Sequence, residues 1–516
     1  MYHKITHGNS FLNRKEYCDK LLGCWYGKNI GGTLGAPFEG KRQFNNLSFY
    51  TQDLKGNPIP NDDLDLQLIW LRACEDCGVY NVNEQVLGEY WLGFITLPAN
   101  EYMVGSGNIR QGFFPPLSGA IGNDRWKNSN GAWIRSEIWA CIFPGALDEA
   151  SRFAWFDSCV DHCGEGIYAE IFTACLESAA FIESDREKII ELALARIPAD
   201  CRVARSVRMV IEEYHKGTDW KVLRDMLVED SKDLGWFMAP ANVAFAVLGL
   251  IYGEGDFGKS ICLAVNCGDD TDCTGATCGS VLGILLGRSG IPQKWIDPIG
   301  DAIQTISFEQ YQSYVPKTLT ELAKRVCACK EYADATNPTL FRLHDGPTVI
   351  APEDSPENFN QKRHFNRVLG VPSLSFRREY SFGRLTIEYD KVPEAEPGDT
   401  FNLKLLLDTK FLEIRRIKYT LELPEGWSSP MPEAEVFLYK RRAMERNFTV
   451  TVGDFKGLFY LQLKIMIDNR DYPTYVNIPF RRKGALGDVK DLIVTNDQWD
   501  DFDQARARSS LVTDFE

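Results

Sequence analysis

The chain has no excess of basic residues, no apolar run of membrane length, and no cysteine beyond Cys329. With 57 Lys plus Arg against 72 Asp plus Glu, the formal net charge is -15, so no global positive field exists to draw in nucleic acid or anionic lipid. No stretch approaches the ~20 apolar residues of a membrane span, and the opening MYHKITHGNSFLNRKEYC lacks the apolar core of a secretory signal. The expectation is a cytoplasmic protein whose partners are neither nucleic acid nor membrane. The cysteines are odd in number, 15, and stop at Cys329. A disulfide framework would be even and spread through its domain, so reduced thiols are expected. Cys74 and Cys77 form a CxxC inside the helical pattern LDLQLIWLRACEDCGVY, where buried thiol packing competes with a zinc or redox reading.

What is present is enough chain for several cores: 516 residues exceed the ~100–200 typical of one domain. Apolar residues at 44% and charged residues at 25% are the balance of an ordinary globular protein. Up to about Asp334 the apolar spacing is three and four, as in NEQVLGEYWLGFI, EGIYAEIFTACLESAAFI, DREKIIELALARI, CRVARSVRMVIEEYHKG and LTELAKRVCACKEYA. Strand alternation is scarce there. A Pro-, Asn- and Asp-rich stretch follows, and then the period becomes two, in RLTIEYD, FNLKLLLD, IRRIKYTLEL, VFLYK, FTVTV, LFYLQLKIMID and YVNIPF. Those strands predict a β-sandwich of ~100 residues. The fold class is therefore multidomain α and β, with an all-α domain over 15–335, a linker over 336–366, a β-sandwich over 367–483 and a polar acidic tail over 484–516.

Two helical segments place glycines on one ridge: Gly23, Gly27, Gly31 and Gly35, then Gly275, Gly279, Gly283 and Gly287. An interior glycine costs a helix ~1 kcal/mol against alanine, so these stripes predict a close crossing of helix backbones. Acids flank the same segments. Glu39 follows the first; Asn61, Asp62 and Asp63 precede another helix; Asp270 and Asp272 precede the second glycine segment. The two groups that precede helices, taken singly, are explained by capping of a helix amino terminus. If Glu39, Asp62, Asp63, Asp270 and Asp272 converge, each like-charge pair ~4 Å apart repels by ~4 kcal/mol at an effective dielectric of ~20. Two divalent cations would nearly neutralise the cluster, and oxygen-only ligation suits Mg²⁺ or Mn²⁺.

Three blocks carry a resemblance. GKNIGGTLGAPFE, NDDLDLQL and GDDTDCTGATCGSVLGILLG resemble, in order and spacing, the GxxxGDAxGxPxE, (T/N)DDT and GGDTDTxAAxxGxxxGA segments of the ADP-ribosylglycohydrolase family. The resemblance implies an all-α hydrolase with a binuclear Mg²⁺ or Mn²⁺ site, its ligands falling on Glu39, Asn61, Asp62, Asp63, Asp270 and Asp272. It implies cleavage of a glycosidic bond to ADP-ribose on a modified protein or small molecule, with Glu39 and Asp63 as catalytic carboxylates. SNGAWIRSEIWACIFPGA and the later Asp161-His162 resemble the family's GNGAxMRxxP segment and histidine loop, which places ribose and diphosphate at Ser129, Asn130, Gly131 and His162. Trp133, Phe38 and Tyr168 are candidates to stack on a base, against the plainer reading of core aromatics. This sequence departs from the family at Cys273, where a threonine ligand is usual, and at Gly32, where an aspartate is usual. The alternatives are hydrolysis of another ribosyl or sugar conjugate, and a non-catalytic crystallin-like protein. LELPEGWSSP resembles a turn of immunoglobulin-like accessory modules, so the β-sandwich is expected to be of that type and a route to oligomers.

Overall fold

The computed structural model describes residues 10–97, 99–336, 341–355, 368–409, 415–438, 443–468 and 470–485. Two compact units emerge: Met1–Leu97 with Ser118–Ser373, and Pro98–Leu117 with Leu374–Glu516. The expected acidic tail, apart from Gly484 and Ala485, lies outside the described residues.

The first unit is helical because its apolar residues recur with the helical period and its polar residues cap the ends. The five helices expected from periodicity form as Glu84–Phe94, Glu165–Ala180, Arg186–Leu194, Arg202–His215 and Leu319–Thr336. Asn13 starts the first glycine helix, Arg14–Gly35, by accepting the Glu16 backbone N–H at 2.9 Å. Asn61 starts Asp62–Cys77 the same way, accepting from Asp63 N–H at 2.7 Å. The second glycine helix is Thr271–Leu286, and Gly287 ends it at φ +69°, the left-handed conformation that glycine adopts most freely. Around these helices the core buries Trp25, Trp70, Trp91, Trp133 and Trp139. Within the expected linker, Phe341–His344 pairs in parallel with Ser10–Asn13, and Phe341 is fully buried.

In the second unit alternation gives two sheets. One has five strands in the spatial order Glu394–Ala395, Thr474–Arg482, Leu458–Ile467, Arg415–Glu422 and Glu433–Leu438; the other has four, Ser375–Tyr380, Gly383–Tyr389, Thr400–Thr409 and Ala443–Thr451. Their inner faces meet: Phe401 and Tyr389 of the second sheet touch Phe480 of the first, with ring centroids 5.2 and 5.9 Å apart. Trp427 follows Gly426, whose φ is +79°, and enters this core against Phe459 and Phe480. Residues 98–117 join this unit through the helix Asn100–Arg110 and the chain after it. Arg481 lies 5.3 Å over the Phe113 ring and donates to Gln111 Oε1, while Tyr460 donates to the Gln111 carbonyl at 2.9 Å. Among the described residues no helix is long and apolar enough to cross a membrane.

Candidate metal centre and active site

The glycine ridges of the helical unit face each other antiparallel. A Cβ at Gly23, Gly27, Gly31 or Gly35 would lie 2.2, 1.9, 1.9 or 2.1 Å from the carbonyl oxygen of Gly283, Gly279, Gly275 or Thr271 respectively. No real side chain tolerates such distances, so backbone contact is what the glycines are for. Thr271 Oγ1 ties the end of the crossing by donating to the Gly35 carbonyl at 2.8 Å. This register carries Glu39, just past the first helix, to Asp270 and Asp272 at the start of the second. Asp270 is the residue before the helix and Asp272 lies in its first turn, so two carboxylates only two positions apart share one side.

Two groups of ligand atoms result. Carboxylate oxygens of Glu39, Asp270 and Asp272 lie within 4.8 Å of one another, as do those of Asp63 and Asp272 with Cys273 Sγ. Asp272 belongs to both. Asp63, Asp270 and Asp272 are buried and Glu39 is half-buried. Three of their oxygens, Asp63 Oδ2, Asp270 Oδ1 and Asp272 Oδ1, accept no hydrogen bond. Buried acceptors left bare in this way are costly, and their oxygen chemistry fits a divalent cation. Without cations, burial first and then the Asp272 charge push the Asp63 and Asp270 carboxyls well up, although Lys28 opposes this at Asp63. Burial and the neighbouring carboxylates likewise push the Cys273 thiol up. That thiol donates to Asp63 Oδ1 at 3.4 Å.

The remaining expected residues take several positions. Asn61 caps its helix and donates from Nδ2 to Asp272 Oδ2 at 3.2 Å. Asp62 is half-buried and stands outside both groups, its charge felt by Asp63 and Cys273. Asp269 turns away and is clamped by Arg42 at 2.7 Å. Asn130 reaches the cluster directly: its Nδ2 donates to Asp270 Oδ2 at 2.6 Å, and Trp133 Nε1 fixes its amide by donating to Oδ1 at 2.9 Å. Behind it, Ser129 Oγ meets His162 Nε2 at 3.0 Å and His162 Nδ1 meets Asp161 Oδ1 at 2.8 Å. Arg135 donates to Asp161, to Asp157 and to the Gly131 carbonyl. Ser129, Asn130, Gly131 and His162 are all buried. Trp133 is also fully buried, a core residue and not a stacking surface, whereas Phe38 and Tyr168 are half-buried.

Sequence reasoning missed the inner wall. Lys28 is buried, with Nζ 2.8 Å from Glu137 Oε1, 3.8 Å from Asp63 Oδ2, and donating to the Ile134 carbonyl. Burial works against its ammonium, but Glu137 and Asp63 outweigh that and raise its pKa. Glu137 also accepts from Gln67 Nε2 and Ser280 Oγ. The available signal was a charged lysine between the ridge glycines Gly27 and Gly31.

Helices crossing on glycine gather the acids, and the match to known proteins supplies both the hydrolase class and the family. Residues 13–334 match the ADP-ribosylglycohydrolase family, and the chain belongs to it and is a hydrolase. An uncharacterized protein of Archaeoglobus fulgidus is 22% identical over 299 residues, covering 55% of this chain and 92% of that protein. The ADP-ribosylarginine hydrolases Tri1 of Serratia proteamaculans and Pseudomonas putida are 39% and 37% identical over 54 residues, covering 10% of this chain and 15% of theirs. A solved ADP-ribosylglycohydrolase-related protein complex aligns with 61% of this chain and 99% of its own, at 19% identity and a TM-score of 0.43.

Proposed function

We propose that this chain hydrolyses a glycosidic bond to ADP-ribose, releasing it from a modified protein or small molecule, at a site for two Mg²⁺ or Mn²⁺ ions. The observation that carries the reading is the pair of ligand groups joined at Asp272, with three buried carboxylate oxygens that accept no hydrogen bond. Glu39, Asp63, Asp270 and Asp272 would hold the ions, with Asn61 and Asp62 completing the rim. Bound there, the ions supply Lewis-acid charge to ribose hydroxyls and water as the bond to the leaving group breaks.

The chain's own residues do the rest. Glu39 is half-buried, and its access to solvent suits it to take a proton from the attacking water. Asp63, held between Lys28 and Cys273, is the second catalytic carboxylate and orients that water. Asn130 occupies one oxygen of Asp270 and leaves the other bare. The wall of Ser129, Asn130, Gly131 and His162, stiffened by Asp161 and Arg135, is assigned to the ribose and diphosphate. The β-rich unit is assigned as an immunoglobulin-like accessory module.

The test is calorimetric titration with ADP-ribose in Mg²⁺, together with release of ADP-ribose from ADP-ribosylarginine. Replacing Asp270 and Asp272 by Asn together should abolish metal binding and turnover. Unchanged metal content in that double variant sinks the proposal. A second reading, a simpler ribosyl or sugar conjugate, is favoured by the departures at Gly32 and Cys273; it prevails if such a glycoside turns over while ADP-ribose gives no binding heat.

A further inference from the structure

The two ligand groups differ in chemistry. Glu39, Asp270 and Asp272 offer oxygen alone, whereas the other group sets Cys273 Sγ beside oxygens of Asp63 and Asp272, all within 4.8 Å. Hard oxygen ligands select Mg²⁺ and Mn²⁺, and sulfur selects softer ions. We propose that the centre is built for two unlike ions: a hard one held by Glu39, Asp270 and Asp272, and a borderline one such as Co²⁺, Zn²⁺ or Fe²⁺ held by Asp63, Asp272 and the sulfur of Cys273. This rests on the two-ion reading and sharpens it.

The position supports a ligand independently of the cysteine, because Asp63 Oδ2 and Asp272 Oδ1 are bare in a buried setting. Cys273 Sγ already points at the same place, with Asp63 Oδ1 3.4 Å away as acceptor of its S–H. On binding, the sulfur–metal bond would form as the S–H bond breaks, the proton leaving first to Asp63 Oδ1, which already accepts the S–H, and finally to the buffer. No oxidant or reductant is required. Lys28, 3.8 Å from Asp63 Oδ2, offsets one of the negative charges that this position gathers.

The test uses the full-length protein stripped of metal by dialysis against a chelator, then titrated with Co²⁺ in excess Mg²⁺. The expected result is a near-ultraviolet thiolate-to-cobalt charge-transfer band that saturates at one Co²⁺ per chain. In Cys273→Ser the band should vanish and Co²⁺ affinity should fall at least tenfold, while far-ultraviolet circular dichroism stays unchanged. Cys273→Thr provides the same comparison if the serine variant fails to fold. Stoichiometric Co²⁺ binding without the band, or a band that survives both substitutions, overturns the proposal and leaves the two-ion reading standing. If elemental analysis finds neither Co²⁺ nor Mg²⁺ on the wild-type chain, both fall together.

Discussion

Lys28 sets the charge of the site's inner wall. It is buried between Glu137 and Asp63, so Lys28→Met leaves both carboxylates without their cation. The expected cost is about 3–5 kcal/mol of stability, measured by chemical denaturation, and it should be smaller with Mg²⁺ present because bound ions replace part of the lost charge. Asp65 offers a pH test. Its carboxylate accepts from Ile306 and Ser307 N–H at 2.6 and 2.9 Å, yet burial, helped by the Asp62 charge, pushes its pKa up to about 7. Because the folded value exceeds the unfolded 3.8, ionisation is disfavoured in the fold, and stability falls as pH climbs from about 4 to about 7. Asp65→Asn removes that loss, so the variant should gain on the wild type by about 1–3 kcal/mol between pH 5 and pH 8; a gap that does not change with pH contradicts the account. The acids of the site were readable because paired acids at helix starts stand out in a linear string. Lys28 and Glu137 were not, since each is an ordinary helical residue until the fold brings the two together.

At the scale of elements the glycine crossing decides most. Alanine at Gly27 would gain about 1 kcal/mol of helix propensity, but its Cβ would sit 1.9 Å from the Gly279 carbonyl oxygen. Overpacking wins, and Gly27→Ala should lose about 3 kcal/mol or more, seen as a fall in thermal midpoint together with weaker metal binding. Gly122, whose added Cβ meets nothing within 4 Å but whose φ is +65°, serves as a control: its alanine variant should show only the cost of backbone strain and keep its metal affinity. The crossing itself was legible because the ridge glycines recur every fourth residue. Seven strands were legible from alternation, but Ser375–Tyr380 was not, because Arg377 and Arg378 break its apolar pattern although Arg377 is buried. Glu394–Ala395 is only two residues long, too short for any periodicity to show.

At the scale of the whole molecule the chain parts into two units after Ser373, with one exchange. Residues 98–117 lie in the helical stretch of the sequence and yet belong to the β-rich unit, because their partners Arg481, Tyr460 and Arg378 come from its strands. Nothing local in NEYMVGSGNIRQGFFPP announces that exchange. A chain cut after Ser373 therefore keeps 98–117 and loses what buries Phe113, which is fully buried in the intact protein. Such a truncation should be poorly soluble and melt lower than the full chain, whereas supplying 374–516 as a separate polypeptide should restore solubility. A truncated protein as soluble and as heat-resistant as the parent contradicts this division.

The crossing also fixes chain length. Each facing pair brings a residue of one helix to a set partner on the other, from Gly23 with Gly283 to Gly35 with Thr271. One residue inserted between them would advance the helix by about 1.5 Å and rotate every downstream residue by about 100°, carrying Glu39 out of reach of Asp270. Length variation is thus forbidden along either rod: the spacing of the acids is measured out by a ruler whose graduations are missing side chains.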